Sequence, residues 1–302
     1  MYHSAYLAEL HDFFYDSFDS SNGDANTYLD AYKEMRAGRP LNGPEDEFIF
    51  VDIACGTGRV FRELANNLVQ CGEPSDSTQF IGLDYSAHML KRAIERMPES
   101  LSHSIKYVQG SAMELSAMKE FQGPPTVDLM IISGGSITTL GGGSGQAEKF
   151  LAQAAGVLRP ETGRLLISVL YMYDDSRKAE TAKMMEQMTE NPFSQDTKSV
   201  LFPGILYRPG QENCRQEGNL LYWDIPVEVI KKDEKGVESV IEKDVASVGG
   251  RVWQDGEVPL LAAAAGLELV ETRFNSNETA IPEPIVTGLD VSYTLDRDYG
   301  EG

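Results

Sequence analysis

From residue 48 onward, short β-branched runs alternate with longer stretches of helical period. That alternation is the pattern of a mostly parallel sheet with helices on both faces. FIFVDIA (48–54) leads into RVFRELANNLVQ, whose Val60, Phe61, Leu64, Ala65, Leu68 and Val69 form one apolar stripe. FIGLD (80–84) leads into SAHMLKRAIERM, where Ser86 is placed as an N-cap ahead of Met89, Leu90, Ala93, Ile94 and Met97. IKYVQ (105–109) is a third strand. VDLMIIS (127–133) is a fourth, apolar on both faces as a central parallel strand should be. A helix near 146–158 stops before Pro160, and RLLISVL (164–170) is the fifth strand.

The rhythm then changes. Residues 171–221 hold a methionine-rich helical segment, TAKMMEQM, and a stretch broken by proline and glycine, FSQDTKSVLFPGILYRPGQEN, which a simple crossover does not explain. Two strands around a turn at 233–236 follow, and Pro226 predicts that the first of them is an edge. EVPLLAAAAG reads as a short helix with Pro259 in its first turn and Gly266 as C-cap. LELVETRF and DVSYTLDR close the sheet as a terminal pair, making seven strands. The organisation expected is a helical cover over residues 1–45, lying on the carboxyl edge of the sheet, then one α/β domain over 46–302 with an inserted cap at about 171–250.

The chain carries 26 basic against 47 acidic residues, a formal net charge of -21, so nucleic acid and anionic membrane surfaces are expected to be repelled. No apolar run approaches the roughly 20 residues that span a bilayer, and the start, MYHSAYLAELHDFF, lacks the pattern of a signal peptide. Cys55, Cys71 and Cys214 are too scattered for a disulfide framework, and no metal spacing such as CxxC or HExxH occurs. A cytoplasmic protein without metal follows as the expectation. The oligomeric state is left open.

The functional argument turns on VDIACGTGRV. In an open α/β sheet, ligands bind outside the carboxyl ends of the strands, and Gly56 and Gly58 let the backbone turn and approach one closely. A dinucleotide loop, GxGxxG, would place its third glycine at position 61, where this chain has phenylalanine. Asp52 also sets a negative charge beside the loop, which suits a cationic ligand better than pyrophosphate. The stretch resembles the first motif of class I S-adenosylmethionine (SAM)-dependent methyltransferases, an acidic residue followed by GxGxG, with Ala54 in place of the first glycine. Three further segments resemble that family in order: GLDYSAHML, VQGSAMEL and VDLMIISGGS.

The resemblance implies a Rossmann-like methyltransferase fold with SAM as cofactor, and it implies roles residue by residue. The loop of Ala54, Gly56 and Gly58 would surround the methionyl part, with Asp52 supporting the ammonium. Asp84 would accept both ribose hydroxyls, with Tyr85 and Ser86 facing the adenosine. Ser111, where the family usually has an acidic residue, would bond the adenine amino group between Ala112 and Met113, and Ser133 would pass under the methionyl group. Other roles fit some of these residues as well, Asp52 as a loop cap and Asp84 as a helix N-cap.

In the leading segment, FFYDSF resembles an element that closes over the cofactor in small-molecule methyltransferases, which makes Tyr15 a candidate for cofactor contact. His11 and Tyr15 are the candidate catalytic residues; Asp174 is a further choice of base should the acceptor be an oxygen. His3 lies in the same covering segment. Tyr171, Tyr173, Phe202, Tyr207, Tyr222 and Trp223 suit a pocket for an apolar or aromatic small molecule. The expected activity is methyl transfer to an O, S or N atom of such a molecule. The alternatives are an NAD-dependent oxidoreductase, a methyltransferase fold performing non-methyl chemistry on a natural product, and a non-enzymatic binding protein on the same scaffold.

Overall fold

A computed structural model describes residues 3–17, 24–41, 46–71, 77–140, 145–171, 195–251, 253–254, 256–275 and 289–297. Its centre is a seven-stranded sheet. In chain order the elements are α1 (Ala5–Ser17), α2 (Asp24–Gly38), β1 (Phe48–Ile53), α3 (Arg59–Cys71), β2 (Thr78–Asp84), α4 (Ala87–Arg96), α5 (Glu99–Ser102), β3 (Ile105–Gln109), β4 (Leu129–Ile132), α6 (Ser136–Thr139), α7 (Gln146–Val157) and β5 (Arg164–Tyr171). A second group follows: β6 (Thr197–Lys198), β7 (Ile205–Pro209), β8 (Asn213–Glu217), β9 (Leu220–Lys232) and β10 (Glu238–Arg251). The chain then returns through α8 (Glu257–Ala264), β11 (Leu267–Asn275) and β12 (Leu289–Arg297).

The main sheet runs β11-β12-β5-β4-β1-β2-β3. Strands β1 to β5 are parallel, and β12 enters antiparallel beside β5. The order reverses at β1, with β2 on one side and β4 on the other, so the carboxyl end of β1 opens into the crevice where ligands bind in such sheets. Burial explains the hydrophobicity of β1 and β4: Phe48, Phe50, Val51, Ile53, Leu129, Met130, Ile131 and Ile132 are all fully buried. α3 buries Val60, Phe61, Leu64, Ala65 and Leu68 along the predicted stripe, while Val69 stays exposed.

The aromatic residues define the spacing of one layer. Phe61 meets Phe50 and Phe80 edge-on, with ring centroids 5.4 and 5.5 Å away, and Tyr32 of α2 stacks on Phe50 at 5.9 Å. The position that a dinucleotide loop reserves for a glycine is therefore the centre of an aromatic slab that holds α3 off the sheet.

α2 departs from the expected cover. Its Tyr32 hydroxyl bonds Thr78 Oγ1 at 2.8 Å, and Glu34 pairs with Arg164, placing it by the amino ends of β2 and β5 rather than over the carboxyl edge. The reason is composition: Tyr28, Leu29 and Tyr32 are buried against the aromatic layer, a site a crevice lid does not offer. Of the two helices α1 and α2, α1 is the one that reaches the carboxyl side. Below the sheet, Asp128 joins the segments at the base: it accepts Ile49 N at 2.8 Å and pairs with Arg159 at 2.6 Å and Arg39 at 3.0 Å.

The second sheet is antiparallel, in the order β10-β9-β7-β6, with β8 also on β9. Pro226 is thus in a central strand, not an edge. Its carbonyl accepts Gly210 N at 2.7 Å, so its nitrogen faces the same side, where β9 passes from pairing with β8 (Asn213 opposite Asp224) to pairing with β7 (Pro209 opposite Val227). The N–H that proline lacks falls in the gap between two partners. α8 is capped by Ala265, one residue earlier than expected, with Gly266 following at φ +79°. TAKMMEQM lies outside the described residues. Among the described residues no helix is long and apolar enough to cross a membrane.

Candidate functional site

Ala54, Gly56 and Gly58 all adopt left-handed φ, at +55°, +55° and +76°, and carry the chain from β1 into α3. The turn is tied to the neighbouring strand: Cys55 N donates to Leu83 O at 3.0 Å, and Gly56 N donates to Asp84 Oδ2 at 2.9 Å. Asp84 Oδ1 accepts Ser86 N at 2.8 Å. Burial pushes the Asp84 carboxyl above its ordinary pKa, against the opposing pull of these backbone N–H groups. The cap of α4 is Ser86, whose hydroxyl accepts Met89 N, so Asp84 does not serve as that helix's N-cap.

Close neighbours enforce the glycine at 58, and the left-handed φ favours one at 56. A Cβ on Gly58 would stand 2.9 Å from the Tyr107 hydroxyl and 3.0 Å from Ala93 Cβ, and one on Gly56 would stand 3.4 Å from the His11 ring. His11 therefore lies over the loop, carried there by α1. Burial pulls its pKa down to about 4; Asp12 acts against that, and Arg59 and Arg96 add to it. Asp12 is itself buried and pairs with Arg92 at 2.6 Å and with Arg96, clamping α1 to α4.

The other expected residues are placed as follows. Asp52 is fully buried in β1, opposite Gly82 of β2 and Ile131 of β4. Tyr85 is 80% exposed beside Asp84. Ser111 begins a short 3-10 helix (Ala112–Ala117), its hydroxyl accepting Met113 N at 3.2 Å, with Ala112 buried and Met113 packed on the core. Ser133 is buried at the end of β4, before Gly134 and Gly135, whose φ values of +57° and +67° turn the chain into α6. His3 pairs with Asp244 of β10 at 2.7 Å, on the inserted sheet rather than the loop. The side chain of Tyr15 lies outside the described residues, as do those of Tyr171 and Trp223 and all of Tyr173 and Asp174.

Of the six aromatic residues expected to line a pocket, the side chains of Phe202, Tyr207 and Tyr222 are among those described, and each meets a different neighbour. Phe202 packs edge-on against Tyr6 of α1 at 4.8 Å, Tyr207 is buried under Phe13 at 6.2 Å, and the Arg215 guanidinium covers the Tyr222 ring at 4.4 Å. Sequence reading missed Glu9. Its carboxylate, fully enclosed between α1 and the inserted sheet, accepts Ser199 Oγ, Tyr207 Oη, Val200 N and Leu201 N at 2.6 to 2.8 Å. The only hint was one acidic residue in the otherwise apolar run AYLAEL.

The loop and its surroundings fit a SAM molecule: a bend without side chains at two positions, a carboxylate at the tip of the adjacent strand and an acidic residue beneath. Residues 50–161 match the family of methyltransferase domains. The chain is 28% identical over 286 residues to the N-methyltransferase FrzE of a Cladobotryum species, covering 92% of this chain and 93% of that one. What the chain resembles, by both comparisons, is a methyltransferase. Its fold is shared with a SAM-dependent methyltransferase from Clostridium acetobutylicum, at 13% identity and a TM-score of 0.58 over 97% of this chain and 99% of the other. The sugar N-methyltransferase KedS8 from Streptoalloteichus superposes with a TM-score of 0.56 at 14% identity, over 96% and 93%. The loop between β1 and α3 is where the residues present would hold a SAM molecule.

Proposed function

We propose that this methyltransferase alkylates a nitrogen of a small metabolite bound between the β1 loop and the inserted sheet. The observation that carries the reading is His11. Among the described residues it is a titratable side chain set over the loop, and a pKa of about 4 makes it a weak base at neutral pH. A hydroxyl acceptor needs its proton removed by a base matched to the working pH, whereas a neutral amine attacks with its own lone pair. The N-methyltransferase activity named for FrzE supports the same choice of atom.

In this reading the residues of the earlier resemblance keep their roles. Asp84 takes the ribose hydroxyls with the lone pairs its two backbone bonds leave over, while Tyr85 and Ser86 flank the adenosine. Ser111, Ala112 and Met113 enclose the adenine. Ala54, Gly56, Gly58, Asp52 and Ser133 surround the methionyl part, and His11 with Tyr15 closes the acceptor side. The bound cofactor supplies an electrophilic methyl carbon on a sulfonium. An amine acceptor would meet that carbon with its own lone pair, so no side chain here would have to take a proton before attack. What the chain contributes is placement: holding reactants at about 3 to 3.5 Å can supply roughly 7 to 11 kcal/mol of the barrier.

The test is transfer of labelled methyl from SAM to panels of amines, phenols and thiols. Turnover confined to amines supports the reading; turnover of phenols or thiols alone refutes it.

A further inference from the structure

α1 has two working faces. His11 and Asp12 meet the cofactor half of the molecule, the first over Gly56 and the second in the clamp with Arg92 and Arg96. Tyr6, Glu9, Leu10 and Phe13 recur at helical spacing on the other face and meet the inserted sheet. At the centre of that second face sits the one carboxylate.

A buried carboxylate survives only when its oxygens are well satisfied, and Glu9 has four donors from a single neighbourhood. Two are consecutive backbone N–H groups of the turn at 199–202, and two are hydroxyls, one of which, Ser199 Oγ, also accepts Phe202 N at 2.7 Å. One side chain thus fixes the shape of that turn, the middle of β7 and the seating of α1 upon both. Apolar packing alone would permit α1 to slide or rotate on the sheet; four directional bonds do not.

We propose that Glu9 is a positioning residue: through α1 it sets the inserted sheet in register with the cofactor loop, so that occupancy of the loop is felt at the acceptor side. The inference rests on the acceptor binding between those two parts, yet its test uses no acceptor.

The probe is S-adenosylhomocysteine, the demethylated cofactor, with binding measured by calorimetry and amide hydrogen exchange followed over residues 199–209. In the unaltered chain, saturating probe should slow exchange in that segment by about tenfold, because local opening there is coupled to α1. Glu9→Ala should bind the probe within about threefold of the unaltered chain, since Asp12 still anchors α1, but should lose the probe-dependent slowing. Glu9→Gln is the conservative rescue. Its Oε1 keeps both backbone donors and its Nε2 can donate to the two hydroxyl oxygens, which reverse their roles, so slowing should return. If Glu9→Ala does not fold, Ser199→Ala makes the same comparison by removing one hydroxyl bond and the support of Phe202 N.

Absence of probe-dependent slowing in the unaltered chain overturns the proposal, as does its persistence in a folded Glu9→Ala or Ser199→Ala variant. Loss of slowing only in proportion to lost probe binding also overturns it, leaving Glu9 a plain structural contact. An amine panel that fails while these exchange results hold would refute the acceptor assignment and leave the coupling standing.

Discussion

Asp84 at the tip of β2 accepts the backbone N–H of Gly56 at 2.9 Å, so the same carboxylate assigned to the ribose also fixes the loop that would cradle the methionyl group. Two tasks in one side chain mean that its removal is felt twice.

Asp84→Ala should weaken SAM binding by at least about tenfold, from loss of charge-assisted bonds worth roughly 1.5 to 3 kcal/mol each. The variant should remain folded but lose about 1 to 3 kcal/mol of stability, since the N–H groups of Gly56 and Ser86 lose their acceptor. Calorimetric titration and urea unfolding measure the two effects separately. In the unaltered chain, SAM affinity should fall on acidification at a pH above the ordinary carboxylate range, the direction in which burial moves this group.

His11 titrates near 4 in the folded chain against an ordinary value of 6.5. A base whose folded pKa is depressed contributes stability that is complete above the unfolded value and is lost as pH falls from about 6.5 through about 4. Unfolding midpoints should therefore drop across that window, and His11→Gln should flatten the dependence. If the rate-determining step uses the neutral imidazole, methyl transfer will show no inflection near 6.5; an inflection there that His11→Gln abolishes would contradict the placement of this ring.

The left-handed positions of the loop should respond in opposite senses. At Ala54 (φ +55°) the Cβ is strained by about 1 to 2 kcal/mol, partly offset by the extra freedom glycine gains in the unfolded chain. Ala54→Gly is expected to be stabilising by up to about 1 kcal/mol or neutral. Gly58→Ala adds strain at φ +76° to a close approach on the Tyr107 hydroxyl and Ala93, and should destabilise by about 2 kcal/mol or more. Denaturant midpoints distinguish the two outcomes.

Asp128→Ala removes the acceptor shared by Arg159, Arg39 and Ile49 N, although Arg39 keeps Asp46 and Arg159 keeps Thr126 O. A loss of about 1 to 3 kcal/mol is expected. Cofactor affinity, measured well below the melting temperature, should stay within about threefold, because the loop lies at the opposite strand ends.

Much of the parallel half was legible because its strands are buried on both faces and its helices on one, which imposes distinct periods on the residues. The inward stripe of α3 and the N-cap at Ser86 follow directly from such local rules. Pro226 was misread because the rule for proline assumes a partner at every position, and the handover from β8 to β7 is a fact of topology alone. α2 was misplaced for a related reason: an aromatic helix can lie over a crevice or against a sheet face, and only the neighbours Phe48, Phe50 and Phe80 decide between them. Glu9 was invisible because a carboxylate in an apolar run shows its value only when its four donors, some 190 residues distant in sequence, are brought to it.

The inserted strands leave the main sheet after β5 and rejoin it at α8, one uninterrupted length of chain. Such a length could be exchanged between relatives like a cassette, altering what is alkylated while the nucleoside bed is left alone. The knot at Glu9 restricts that freedom, because its acceptor belongs to the opening helix and its donors to the cassette. A graft that ignored the first seventeen residues would bury a lone anion, so natural or laboratory diversification has to trade these two segments together.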